Sequence, residues 1–132
     1  MNGGKNYLDA VIREGATAFR KEQMKLWAAR CAATGCNVKP ALDAAHIFRY
    51  LGEHTNRMDN GILLRADFHR LFDRNLLVIE EQKTFLVWRV STRLAGSDYA
   101  KIEGKTVIMG PDVKAVPNRK FLARHFKEFV DV

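Results

Sequence analysis

Three side chains define the chemistry this chain could perform. His46 ends the apolar run that begins at Leu42, Asn60 follows 14 positions later, and His69 comes 9 positions after that. An imidazole titrates near neutrality, so His46 is suited to take a proton from water. A hard divalent cation accepts imidazole and oxygen donors, and His69 with nearby carboxylates could supply both. Asp73 falls four positions after His69, which on a helix puts the two on one face. Asp73 is then either a second ligand or a group that orients His69. Asp43 is the nearest carboxylate before His46. Hydrolysis of a phosphodiester needs these parts: a base for the water and a cation for the charge that gathers on the phosphorane and the leaving oxygen.

The stretch that carries them, residues 42–73, reads LDAAHIFRYLGEHTNRMDNGILLRADFHRLFD. It resembles the HNH endonuclease family, in particular the branch in which AAHI is followed by NG-x-LL-x-x-D-x-H-x-LFD. The resemblance implies an α+β fold with a ββα-metal core, in which a hairpin and a helix converge on one metal. It implies that His46 is the general base and that Asn60 bridges the loop by side-chain hydrogen bonds and helps orient that base. It implies that His69 holds the metal, with Asp43 and Asp73 as further candidate ligands. The cofactor it implies is one divalent ion, Mg²⁺ foremost, with Mn²⁺, Ni²⁺ and Zn²⁺ as alternatives. The substrate it implies is DNA, cut to leave a 5′-phosphate, in restriction, phage defence or a toxin module.

The chain departs from the commonest pattern at Ala45, where many members carry an acidic or histidine ligand directly before the base. On a regular strand positions 43 and 45 share the face opposite His46, so either Asp43 replaces that ligand through a bend in the strand or water fills the gap. The gap at Ala45 also leaves a second reading open, a non-catalytic nucleic-acid-binding module on the same scaffold. The retained His46, Asn60 and His69 argue against it.

The formal net charge is +7 and the isoelectric point near 9.7, a balance that favours a polyanionic partner. Arg49, Arg65, Arg70 and Arg74 surround the motif. Arg49 and Arg70, the neighbours of His46 and His69, are the preferred phosphate contacts. The C-terminal segment PNRKFLARHFKEF resembles the closing helix of the family, and its His125 is expected to be structural or DNA-facing. No recognition helix or base-reading motif is evident, which assigns target choice to another domain, a partner subunit or a homodimer.

Two cysteines at C-x4-C spacing exclude both a disulfide framework and a four-thiolate zinc site. No apolar stretch approaches the roughly 20 residues that span a bilayer, and the N-terminus lacks a signal core. A soluble, cytoplasmic protein with no membrane partner is expected.

These groups need positioning elements. At 132 residues the chain fits one domain, residues 1–132, with the motif core at 31–75. The apolar spacing predicts a helix from Thr17 to Arg30, capped by Thr17 and packing through Phe19, Leu26 and Trp27. Gly35 and Asn37 predict a hairpin turn within 31–47, whose second strand delivers His46. Residues 49–60 read as a loop, and Asp67 as the N-cap of a short helix. Two strands are expected at 76–80 and 84–90, a further short one at 106–109, and a final helix with Pro117 in its first turn.

Overall fold

Ile62, Leu63 and Leu64 are fully buried, and the fold is assembled around them. In the computed structural model, which describes residues 3–111 and 117–131, they form the centre of a strand. The order of elements is α1 (Gly3–Leu26), β1 (Leu42–His46), β2 (Gly61–Arg65), α2 (Ala66–Asp73), β3 (Leu77–Gln82), β4 (Phe85–Val90) and α3 (Arg119–Lys127), with short 3-10 turns between. The strands form two antiparallel pairs, β1 with β2 and β3 with β4. The architecture is α+β.

In the first pair Asp43 lies opposite Leu64, Ala45 opposite Ile62 and His46 opposite Gly61. Both faces of β2 are covered, which is why its sequence is a continuous apolar run without alternation. Helix α1 packs on β1 and β2 through Phe19 and Gln23, while α2 covers the pair with Phe68 and Phe72. Burying a Phe or Leu side chain here stabilises the fold by roughly 1.5–3 kcal/mol each. The two tryptophan rings are buried with their N–H groups paired. Trp27 donates to Gln23 Oε1 at 2.9 Å, and Trp88 to the carbonyl of Ala32 at 3.1 Å.

The structure corrects the expected hairpin at 31–47. Cys31 and Cys36 are joined by a backbone bond of 2.9 Å, and Gly35 supplies the left-handed turn at φ +77°. That turn closes an irregular segment, and the partner of β1 is the distant β2. A buried apolar strand offered a better partner than the local turn could.

Other boundaries move as well. Helix α1 runs from Gly3, so Thr17 is an internal residue and not a cap. Helix α2 starts at Ala66 after Arg65, and the carboxylate of Asp67 turns to Arg65 and Tyr99 instead of capping. The strand expected at 106–109 is a single bridge between Val87 and Thr106. In α3 the cap is Asn118, whose side chain accepts from Lys120 and Phe121 N–H, and Pro117 precedes it. The two strands of the second hairpin are close to expectation, turning through Lys83 at φ +49°.

Candidate active site

Strand β1 separates its side chains by alternation, and this fixes which helix each one meets. His46 turns towards α1 and Asp43 towards α2. The ring of His46 stacks on Phe19, with centroids 4.3 Å apart and planes within 2°. Its Nε2 lies 2.7 Å from Asn56 Oδ1. With Nε2–H donated to that amide oxygen, the neutral ring keeps its lone pair on Nδ1. Tyr50 borders the same ring at 5.4 Å.

Asn60 is buried and spends its side chain on the loop. Its Oδ1 accepts from Phe48 N–H at 2.6 Å, and its Nδ2 donates to the carbonyls of Phe48 and Thr55 at 3.0 and 2.9 Å. It therefore closes the segment between β1 and β2. The direct contact on His46 comes from Asn56. Gly61 follows Asn60 for a reason of space and not of turn geometry, since its φ is −138°. A Cβ there would come within 2.2 Å of the buried Gln23 side chain, which crosses from α1. Gly15 plays a similar part on α1, where a Cβ would meet Asn56 Nδ2 at 3.0 Å.

His69 lies between two carboxylates. Its Nδ1 is 2.9 Å from Asp43 Oδ2, and its Nε2 is 3.1 Å from Asp73 Oδ2. Asp73 first, and then Asp43, raise the pKa of His69 to about 9, outweighing the opposing effect of burial. A carboxylate at each end of the ring holds it as imidazolium near neutral pH. Among the described residues no three His, Cys, Asp or Glu side chains stand ready-made around a common point. The carboxylates occupy opposite nitrogens, so a cation on one nitrogen would meet one of them and leave the other as an orienting acceptor.

His46 and Asp73 line one open cleft of about 420 Å³. Ile47, Phe48, Arg49 and Leu51, which follow β1, also line it, as do Phe121, Arg124 and His125 of α3 and Glu128 just after that helix. Arg49 thus lines the same cleft as His46. Arg70 is exposed on α2 but outside this cleft lining. Arg65 is engaged elsewhere, paired with Asp67 at 2.7 Å and lying over the Phe68 ring. That guanidinium, with help from the Tyr99 hydroxyl, pulls the Asp67 carboxyl down to about 2. Ala45 is fully buried and brings no ligand to the cleft.

His125 takes a structural place. Its Nε2 donates to the Phe72 carbonyl at 2.8 Å, and its ring stacks on Phe72 at 3.9 Å. Burial lowers its pKa. Its Nδ1 is buried without a partner among the described residues.

Sequence reading missed Asn56, which is one polar residue in a polar loop with no signal to set it apart. Phe19 was legible only as a packing residue. Arg124 was legible only as a charge on the exposed face of an amphipathic helix.

Residues 31–80 match the family model described as HNH endonuclease. The match contains β1, β2 and α2, and leaves α1 and α3 outside. No curated protein matches the chain in sequence. No helix among the described residues is long and apolar enough to cross a membrane.

Proposed function

We propose that this chain, a member of the HNH endonuclease family through residues 31–80, hydrolyses DNA phosphodiester bonds with one divalent metal ion. The observation that carries the reading is that His46 and Asp73 face one cleft while Asp73 also touches His69. The proposed base and one proposed metal donor, Asp73, therefore line one space, with His69 in contact with Asp73.

The donor set fits a hard cation held by few protein groups and completed by water and substrate oxygens. His69 Nε2 and the Asp73 carboxylate would hold the ion, and Asp43, which meets Nδ1, would orient the ring. Mg²⁺ suits such a site, and Mn²⁺, Ni²⁺ or Zn²⁺ could replace it. When bound, the ion supplies positive charge for the phosphorane oxygens and the leaving 3′ oxygen.

The chain's own residues do the rest. His46 Nδ1 removes a proton from the attacking water as the new P–O bond forms and the P–O3′ bond breaks. The products are a 5′-phosphate and a 3′-hydroxyl, whose proton comes from solvent. Asn56 holds Nε2–H and accepts more strongly as the ring becomes charged. Phe19 fixes the ring plane, and Arg49 neutralises a flanking phosphate. Restriction, phage defence or a toxin module is the setting in which such a cutter acts. Its target choice resides in a further domain or partner.

The test is cleavage of supercoiled plasmid in EDTA and in each of Mg²⁺, Mn²⁺, Ni²⁺ and Zn²⁺, with the new ends assayed for 5′-phosphate. Metal-dependent nicking that leaves 5′-phosphate supports the reading. Salt-sensitive DNA binding without cleavage in any metal would overturn it in favour of a non-catalytic module, the reading that the ligand-free Ala45 favours.

A further inference from the structure

We propose that α3 furnishes the second phosphate-binding wall of the cleft and that Arg124 is the residue that grips the DNA backbone there. The inference rests on the cleft being the nuclease site, and it assigns a substrate contact to a helix beyond the matched segment 31–80.

The first support is where Arg124 stands. It lines the cleft that also holds His46, Arg49 and Asp73. Two arginines lining one cleft of about 420 Å³ suit a sugar–phosphate strand bound there.

The second is how Arg124 is held. Its guanidinium lies over the Phe48 ring, 4.9 Å from the centroid, and it forms no ion pair with a carboxylate among the described residues. Glu128, one helical turn on, lines the cleft without pairing to it. Stacking on an aromatic face orients a guanidinium while leaving its in-plane N–H edges free for two phosphate oxygens.

The third is how the platform is fixed. Both backbone polar groups of Phe48 are bound by the Asn60 side chain, and its ring packs on Phe121 of α3 at 5.7 Å. The motif asparagine thus fixes, through Phe48, the surface on which Arg124 rests. Helix α3 is anchored at both ends as well. Asn118 binds Asp59 by backbone and side chain at 2.8 and 3.0 Å, and Val130 N–H reaches the Asn75 carbonyl at 2.9 Å. Between these, Asn75 Nδ2 donates to the His125 carbonyl at 3.2 Å. A helix clamped at both ends presents its arginine at a set distance from the base.

The test is binding of a labelled DNA duplex across a range of KCl by the uncleaving His46→Ala protein, with and without Arg124→Ala. Losing one phosphate contact should weaken binding about tenfold and flatten the log–log salt dependence by about 0.9. Arg124→Lys should keep the salt slope, and Arg124→Gln, which keeps a long stem over Phe48, should lose it. Lys83→Gln, at the exposed turn of the second hairpin, should change neither quantity. In the otherwise wild-type enzyme, Arg124→Ala should lower kcat/KM about 10- to 100-fold. Unchanged affinity and slope in both Arg124→Ala and Arg124→Gln would overturn the proposal. A flattened slope in a protein whose wild type cuts nothing would keep the phosphate contact and remove the nuclease reading.

Discussion

The rings of Phe19 and His46 lie face to face, 4.3 Å between centroids and parallel within 2°. Phe19 belongs to α1, outside the matched segment, and it is buried. The helix that precedes the motif therefore sets the plane of His46, the proposed base, and Asn56 sets its rotation within that plane. A base locked in two directions needs little reorganisation when water arrives.

Replacing Phe19 with leucine removes the flat surface while keeping most of the apolar volume. Cleavage should slow about tenfold, with a loss of roughly 1–2 kcal/mol in stability, since near-isosteric core swaps are mild. Single-turnover rates beside thermal melts check this. A rate equal to wild type would show that the stacking does not orient the base.

Asn56 offers a change of charge at constant shape. In Asn56→Asp a carboxylate faces Nε2 and favours the charged ring, so the acid limb of the pH–rate profile should move upward by about one unit. Asn56→Ala should lower the rate without that displacement. A profile that stays in place in Asn56→Asp would contradict the role given to this contact.

Asn60 and Gly61 predict stability effects of different origin. Asn60→Ala leaves the Phe48 N–H and the Phe48 and Thr55 carbonyls without their partner, at a cost of about 2–4 kcal/mol. Gly61→Ala forces a Cβ against Gln23, whose side chain is pinned by bonds to Met58 and Trp27, and should cost about 1–3 kcal/mol. Urea titrations measure both. Pairing Gly61→Ala with Gln23→Ala should relieve the clash, and absence of coupling in that cycle would refute the account of Gly61.

His69 makes the metal-free protein sensitive to alkali. Its folded pKa, about 9, lies above the ordinary histidine value, so the folded state binds the proton more tightly than the unfolded chain does. The resulting stability is fully present below about pH 6.5 and is lost as pH rises through about 9. With Asp73 more than half exposed, water screens the pair and the loss should be on the order of 1–3 kcal/mol. Affinity for the proposed metal would run the other way, because the cation would replace the proton on Nε2 and bind more strongly as pH rises. Melting temperatures in EDTA from pH 6 to pH 9.5 should fall, and by less in Asp73→Asn. A flat series would contradict the ion-paired state.

The sequence made the motif legible because its residue types and spacings are chemical requirements that do not depend on neighbours. His46, Asn60 and His69 could be singled out before any strand was placed. The pairing of strands was less legible. Gly35 and Asn37 carry true turn chemistry, but the turn they make serves an irregular segment. Ile62–Leu64 hides its strand character because both of its faces are buried. Contacts made across the fold left no local trace: Gln23 over Gly61, Phe19 on His46, and Arg124 on Phe48 each join residues tens of positions apart.

The most direct test sets metal binding and cleavage side by side in wild type, His46→Ala and His69→Ala. Calorimetric titration with Mn²⁺ gives the first, and plasmid cleavage in the same buffer gives the second. The account predicts that His46→Ala binds the ion as wild type does and fails to cut, and that His69→Ala loses both. A His46→Ala protein that still cuts at the wild-type rate would contradict the assignment of the base and, with it, the mechanism built on this cleft.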